Sequence, residues 1–231
     1  MTQRYKSKSL SPKPPADASS DRRQRRSAEI RERLFRAALD LFARKGFAET
    51  TVEDITEAAD VGKGTFFNYF PSKDHILLAF GEMQIGKLES AVEMARETNE
   101  PMTAFAQNLV TRMTQEPMSN PAIIRAILQA YLSTTSVRAA MMDMQRRVLG
   151  LHTQMFQIGQ ERGEIRSDLA ASEIAQVFRQ TIFGTLLMWS LYGDASLQER
   201  MDTAFRVLWT GLAPRDPAAT APQISPSTAG D

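Results

Sequence analysis

Cysteine is absent from the 231 residues, which removes disulfides, thiolate zinc sites, iron–sulfur clusters and cysteine nucleophiles together. Histidine is scarce, with only His75 and His152, and no paired metal-ligand motif exists, so no metal site is expected. Gly-x-Ser-x-Gly and P-loop patterns are missing, and Gly62-Lys63-Gly64 lacks the third glycine and the preceding strand of a dinucleotide site. Neither an enzyme nor a cofactor is expected. Long apolar runs are lacking too: the longest uncharged one, Gln180 to Gly193, has 14 residues, short of the roughly 18 to 20 that span a bilayer. The N-terminus has no apolar core of a secretion signal, so a cytoplasmic chain with no membrane partner is expected. Alternating strand patterns bounded by hairpin turns are absent.

What is present is ordinary for a globular chain, 42% hydrophobic and 24% charged residues, and the pattern is helical. The fold class expected is all-α. The net charge of +1 argues for no particular partner, but its distribution does. Residues 1–26 carry eight basic and two acidic side chains, whereas 27–75 carry seven and nine, 76–212 twelve and fourteen, and 213–231 one and two. Prolines divide the chain, because the ring removes a donor and clashes with a helix interior. Seven of the eleven lie at the two ends, among Ser and Ala, so 1–26 is expected to be a disordered basic arm and 213–231 a disordered tail. Pro71, Pro101, Pro117 and Pro121 suit helix boundaries.

Apolar residues recur at helical spacing in Ile30, Leu34, Ala37/Ala38 and Leu41/Phe42, with Ser27 as a candidate N-cap and Gly46 as a stop. Thr51 and Asp54 have capping-box spacing, and Val52, Ile55 and Ala58/Ala59 complete a short second helix. A third is expected over Lys63 to Phe70. Later helices are placed from Ser72 onward, then near 102–115, 122–132, 137–160, 172–192 and 196–211.

Two short helices joined by Ala59-Asp60-Val61-Gly62 have the geometry of a helix-turn-helix, whose second helix can lie in a DNA major groove. Lys63 at a helix start opposes the helix dipole, a choice that makes sense if a phosphate lies there. Phe66 and Phe70, four apart, read as core. Tyr69 reads as facing DNA or as a surface tyrosine. Asn68 could pair with adenine or contact phosphate, and both readings stand. Arg22, Arg23, Arg25 and Arg26 read either as a minor-groove arm or as a solvated charge run.

The ordered motifs Leu41-Phe42, Gly46-Phe47, Thr50 to Ile55, Ala58 to Val61, Gly64 to Phe70 and Ser72-Lys73-Asp74 resemble the DNA-binding domain of the TetR family of bacterial transcriptional regulators. Gly163 to Asp168, Trp189 and Leu208 to Leu212 are similar to that family's usual ending. The resemblance implies an N-terminal three-helix DNA-binding domain over 27–75 and a helical effector-binding and dimerisation domain over 76–212. It implies a homodimer that represses from a near-palindromic double-stranded operator and is released by a small apolar or amphipathic effector. Carried over position by position, it places Lys63, Gly64, Thr65, Phe67, Asn68 and Tyr69 against DNA, gives Lys73 a phosphate, and sets Thr50 and Thr51 on the DNA backbone. Phe67 stands where many relatives have a tyrosine, so a phosphate-bonding hydroxyl is replaced by a ring that suits a thymine methyl. A helical adaptor that binds other proteins is the alternative.

In the second domain, Phe183, Leu187 and Leu191 make the later half of the 172–192 helix apolar all round. With Met201, Phe205 and Leu208 of the last helix they form the expected dimer face. Seven of twelve methionines fall between Met102 and Met155, and flexible thioethers suit varied apolar ligands as well as plain core. An effector pocket is expected from Phe105, Met113, Tyr131, Met155, Phe156 and Trp189, with Arg125, His152 and Gln180 as polar anchors.

Overall fold

A computed structural model describes residues 17–115, 118–131, 134–192 and 196–214, and all regular structure among them is helical. Helix α1 runs Asp17–Lys45, α2 Val52–Ala58, α3 Lys63–Phe67, α4 Asp74–Glu97 and α5 Met102–Met113. Pro121–Tyr131 forms α6, Thr135–Glu161 α7, Ala171–Tyr192 α8 and Leu197–Thr210 α9.

Helix α1 starts ten residues before the expected Ser27 cap, so 17–26 are helix and not a disordered arm. The stretch after Pro15 ends in four Arg and a Gln, good helix formers, and Asp21 pairs with Arg25 one turn on at 3.0 Å. Nothing there stops a helix. Residues 1–16 of the expected arm and 215–231 of the expected tail lie outside the described residues. Downstream, Leu34, Phe35, Ala38, Leu39 and Phe42 of α1 are buried, and Gly46, with φ of 87°, ends the helix in the left-handed region.

Helix α2 has the expected capping box: the Thr51 hydroxyl accepts from Asp54 N at 3.1 Å, and the Asp54 carboxylate accepts from Thr51 N at 2.7 Å. In the following turn it is Asp60, φ 51°, that takes the left-handed conformation, while Gly62 is an extended N-cap. Helix α3 is shorter than expected. Beyond Phe67 the chain tightens, with Asn68 N bonding Thr65 O at 3.2 Å and Tyr69 N bonding Phe66 O at 2.9 Å, a narrower turn common at helix ends.

One hydrophobic cluster joins α1 to α3 with the start of α4, and it also takes in Ile123, Ala126 and Ala130 of α6 and Val137, Met141 and Met144 of α7. The core therefore runs across the boundary expected at residue 75. A second cluster fills the body between α4, α5, α7, α8 and α9. Long-range polar contacts fix the helix ends there. Arg162 donates to the carbonyls of Ala95, Thr98 (2.6 Å) and Glu100 (3.4 Å) past the end of α4. Glu164 accepts from Met102 N at 2.5 Å, capping α5 from a distance.

Candidate nucleic-acid interface and ligand cavity

Helix α3 divides its residues by face. Phe66 and Phe70 are buried, with ring centroids 5.8 Å apart, and the Arg31 guanidinium lies 5.3 Å over the Phe70 ring. The opposite face carries Lys63, Gly64, Phe67 and Asn68, all exposed, with Thr65 half-buried beside them. Phe67 is 50% exposed, a large apolar ring held in water next to a fully buried neighbour. Tyr69 is half-buried, and its hydroxyl accepts from Ser27 Oγ at 3.2 Å. Ser27, expected to cap α1, instead ties that helix to the end of α3. The phenol keeps its own O–H as a donor.

The surrounding charges are organised by the local fold. Lys63 is ion-paired with Glu53 of α2, and this hydrogen bond holds the Glu53 carboxyl below its ordinary range. The pair is exposed, so it contributes little stability. Lys45, at 2.5 Å, and the Thr51 cap hold the Asp54 carboxyl far below the usual carboxylate range.

Two of the residues expected to touch DNA have internal partners in the structure. Thr50 is wholly buried, and its hydroxyl donates to Gly46 O at 2.7 Å, so its side chain closes the α1–α2 loop and does not meet a phosphate. Lys73 donates to three carbonyls of that loop, Phe47 at 2.7 Å, Thr50 at 2.9 Å and Ala48 at 3.2 Å, with Nζ 4.5 Å over the Phe47 ring. All three ammonium hydrogens have acceptors. In this structure it braces the α1–α2 loop from the start of α4. Thr51 is exposed at the head of α2, where its backbone N–H and hydroxyl are both engaged by Asp54. Arg22, Arg23, Arg25 and Arg26 are exposed on α1, and a helical backbone there replaces the extended arm that a minor groove admits.

In the body, a cavity of about 200 Å³ lies between α4, α5, α6, α7 and α8, walled by Phe80, Leu109, Ile124, Met144, Val148 and Phe178 among others. Of the expected pocket residues, Met113 and His152 line it. Tyr131 lines an adjoining cleft. The rest are placed elsewhere. Phe105, Met155, Phe156 and Trp189 are packed into the second hydrophobic cluster, Arg125 donates to Ser190 O at 2.6 Å and ties α6 to α8, and Gln180 lies in an outer groove between α8 and α9. Sequence reasoning missed Gly81 and Gln84. A Cβ on Gly81 would meet Met144 Sδ at 2.8 Å, so this glycine lets α4 and α7 approach at the cavity wall. His152 Nδ1 and Gln84 Oε1 are buried with no partner among the described residues. The His152 ring stands edge-on to Phe178 at 5.2 Å. Burial, helped by the nearby charge of Arg179, pushes the imidazole down from its ordinary 6.5 to about 4.

Several residues expected to form the dimer face are buried within the chain. Met201 is 1% and Phe205 4% exposed within a single protomer, because α9 turns them onto α5 and α8. Phe183 lines the cavity and Leu208 is half-buried against the body core. Leu191 is exposed and shares the outside of α8 with Val177 and Met188, while Val207 is exposed on α9. Leu187 is half-buried.

Among the described residues no three His, Asp or Glu side chains gather as metal ligands, and no helix is long and apolar enough to cross a membrane. A short helix presented outward by a capped neighbour, joined to a helical body with an internal cavity, defines a helix-turn-helix protein with an appended sensing-type domain. The sequence pattern of the bacterial regulatory proteins of the tetR family matches residues 34–80. Over 182 residues the chain is 22% identical to the HTH-type transcriptional repressor KstR of Mycobacterium tuberculosis, covering 78% of this chain and 80% of that one. The HTH-type transcriptional regulator TcmR of Streptomyces glaucescens is 46% identical over 56 residues, 24% of this chain and 25% of that one. The solved structure of Thermus thermophilus FadR, a TetR-family transcriptional repressor in complex with lauroyl-CoA, is similar at a TM-score of 0.62 and 27% identity, over 83% of this chain and 99% of that one. Residues 34–80 thus carry the tetR-family pattern, and over most of its length the chain is similar to TetR-family repressors.

Proposed function

We propose that the protein is a ligand-responsive transcriptional repressor that binds a near-palindromic operator as a homodimer. The observation that carries this is the division of α3: Phe66 and Phe70 anchor it to the core, and Lys63, Thr65, Phe67 and Asn68 stand outward with no internal role that would require Phe67 to remain in water. The similarity to named repressors supports the same reading. Two copies are joined through the outside of α8 and α9, where Val177, Met188, Leu191 and Val207 are exposed. That apolar stripe is more than a monomer needs to leave in water. The cavity takes a small apolar or amphipathic effector, as the Thermus relative's lauroyl-CoA suggests. Helix α4 links DNA unit to cavity, lining it with Leu77, Phe80, Gln84 and Leu88, so an effector that displaces α4 changes the spacing of two α3 helices that must match about 34 to 36 Å of DNA. It acts only if it prefers the displaced state.

A gel shift of the purified chain on DNA from upstream of its own gene, followed by selection from random duplexes, tests the reading. Asn68→Ala is expected to relax preference at one base pair per half-site. A uniform loss of affinity assigns Asn68 to phosphate instead.

A further inference from the structure

The inner cavity is lined almost wholly by hydrocarbon, yet three buried polar atoms at its wall and mouth lack partners among the described residues: Gln84 Oε1, His152 Nδ1 and Arg179 Nε. Gln84 and His152 line the cavity itself. Arg179 lines an adjoining cleft of about 700 Å³ together with Arg138, Arg146 and Tyr131. Gln145 and Phe183 border both spaces, so cavity and cleft meet there. Arg179 donates from Nη1 to Gln145 Oε1 at 2.9 Å, and among the described residues no carboxylate lies within ion-pair distance of it. Asp143, near the cleft, pairs with Arg146 at 2.9 Å. The Arg179 Nε donor is buried without a partner among the described residues, which is costly to leave that way, since buried charged groups are normally paired.

We infer that cavity and cleft form one channel for an amphiphile, whose apolar chain fills the inner space and whose anionic head, a carboxylate or a phosphate, is held by Arg179 at the junction. The inference rests on the reading of the body as an effector domain and names the chemical class it senses. The inner space is somewhat larger than the ~150 Å³ void known to hold benzene, which suits a chain of roughly six to ten carbons. Phe183 and Gln145 set the neck through which the chain passes. Among the described residues, the charge that borders the channel comes from the arginines of the cleft, and it is of one sign.

Calorimetric titration of the full chain, without DNA, with decanoate, decanoyl-CoA and 1-decanol tests this directly. At least one anion is expected to bind tenfold or more tightly than the alcohol, the gain of a charge-assisted hydrogen bond over a neutral one. Decanoate as the tighter ligand assigns the head to a carboxylate, and decanoyl-CoA alone assigns it to the phosphates of the carrier. Arg179→Met is expected to abolish the preference while leaving decanol binding in place, and Arg179→Lys to keep part of it. Should Arg179→Met fail to fold, the order of the three ligands on the unaltered chain decides alone. Equal or tighter binding of decanol, no binding of any of the three, or an undiminished preference in Arg179→Met overturns the inference. An anion that binds without releasing selected operator DNA leaves the ligand class standing and overturns the effector reading. Release by a neutral compound, with no anion bound, does the reverse.

Discussion

Lys73 serves carbonyls 23 to 26 residues upstream of itself, so its role depends on the folded path of the α1–α2 loop and cannot be read from its neighbours in sequence. Lys73→Met is expected to lower stability by about 2 to 4 kcal/mol, measured by urea unfolding, because it leaves three carbonyls without their charged donor. The salt dependence of operator binding should stay unchanged, since an ammonium turned onto those carbonyls neutralises no phosphate. The two adjacent phenylalanines of α3 separate in the same way. Phe66→Ala should cost about 3 to 5 kcal/mol of stability, whereas Phe67→Ala should leave the melting temperature nearly unaltered and weaken operator binding by about 1 to 3 kcal/mol, seen by titration. That contrast was legible from the helical period alone, which puts 66 and 70 on one face and 67 on another. His152 gives a pH signature. Its imidazole is pushed down to about 4 when folded and has its ordinary value when unfolded, so the unfolded chain takes up a proton first as pH falls. Stability is full above pH 6.5 and declines toward pH 4. Between about pH 7 and pH 5 the loss is expected to be about 2 kcal/mol, and His152→Leu should remove this part of the acid sensitivity.

At the scale of the element, legibility followed how local the determining contacts are. The α2 cap and the turn at Asp60 are settled by residues three or four apart, and the sequence pattern finds both. Helix α1 was harder, because Arg22 to Arg26 read as a minor-groove arm or as a solvated charge run, and the continuous helix from Asp17 fits neither picture of an extended segment. Its consequence is testable. In the proposed DNA complex, a helix carrying four arginines and tied to α3 through Ser27 and Tyr69 would lie beside the phosphates that flank the major groove. Replacing Arg22, Arg23, Arg25 and Arg26 by Gln should reduce the slope of log K against log salt by about one for each phosphate that an arginine neutralises. An unchanged slope assigns these arginines to solvent. Helix α9 misled because its apolar spacing suits an intersubunit face and an internal one equally, and burial of Met201 and Phe205 within the protomer takes the second option.

For the molecule as a whole, the cavity was not legible because five helices contribute its wall, and the lining residues Gly81 and Gln84 carry no sequence signature of a pocket. The all-helical architecture and the N-terminal motif were legible because period and punctuation express them. The proposed dimer contact can be probed at Gly184, on α8 beside Met188 in the groove with α9, where a Cβ meets nothing within 4 Å in the single chain. Gly184→Arg should therefore fold normally and sediment as a monomer, because two such charges would face each other across a symmetric contact. The central claim is that the face of α3 reads bases, twice, from one dimer. Selection from a random duplex pool, followed by titration of the winning and shuffled sequences at one salt concentration, tests it most directly. The account predicts a site with two inverted half-sites, preferred over shuffled DNA by about a thousandfold or more; equal affinity for both sequences would contradict it.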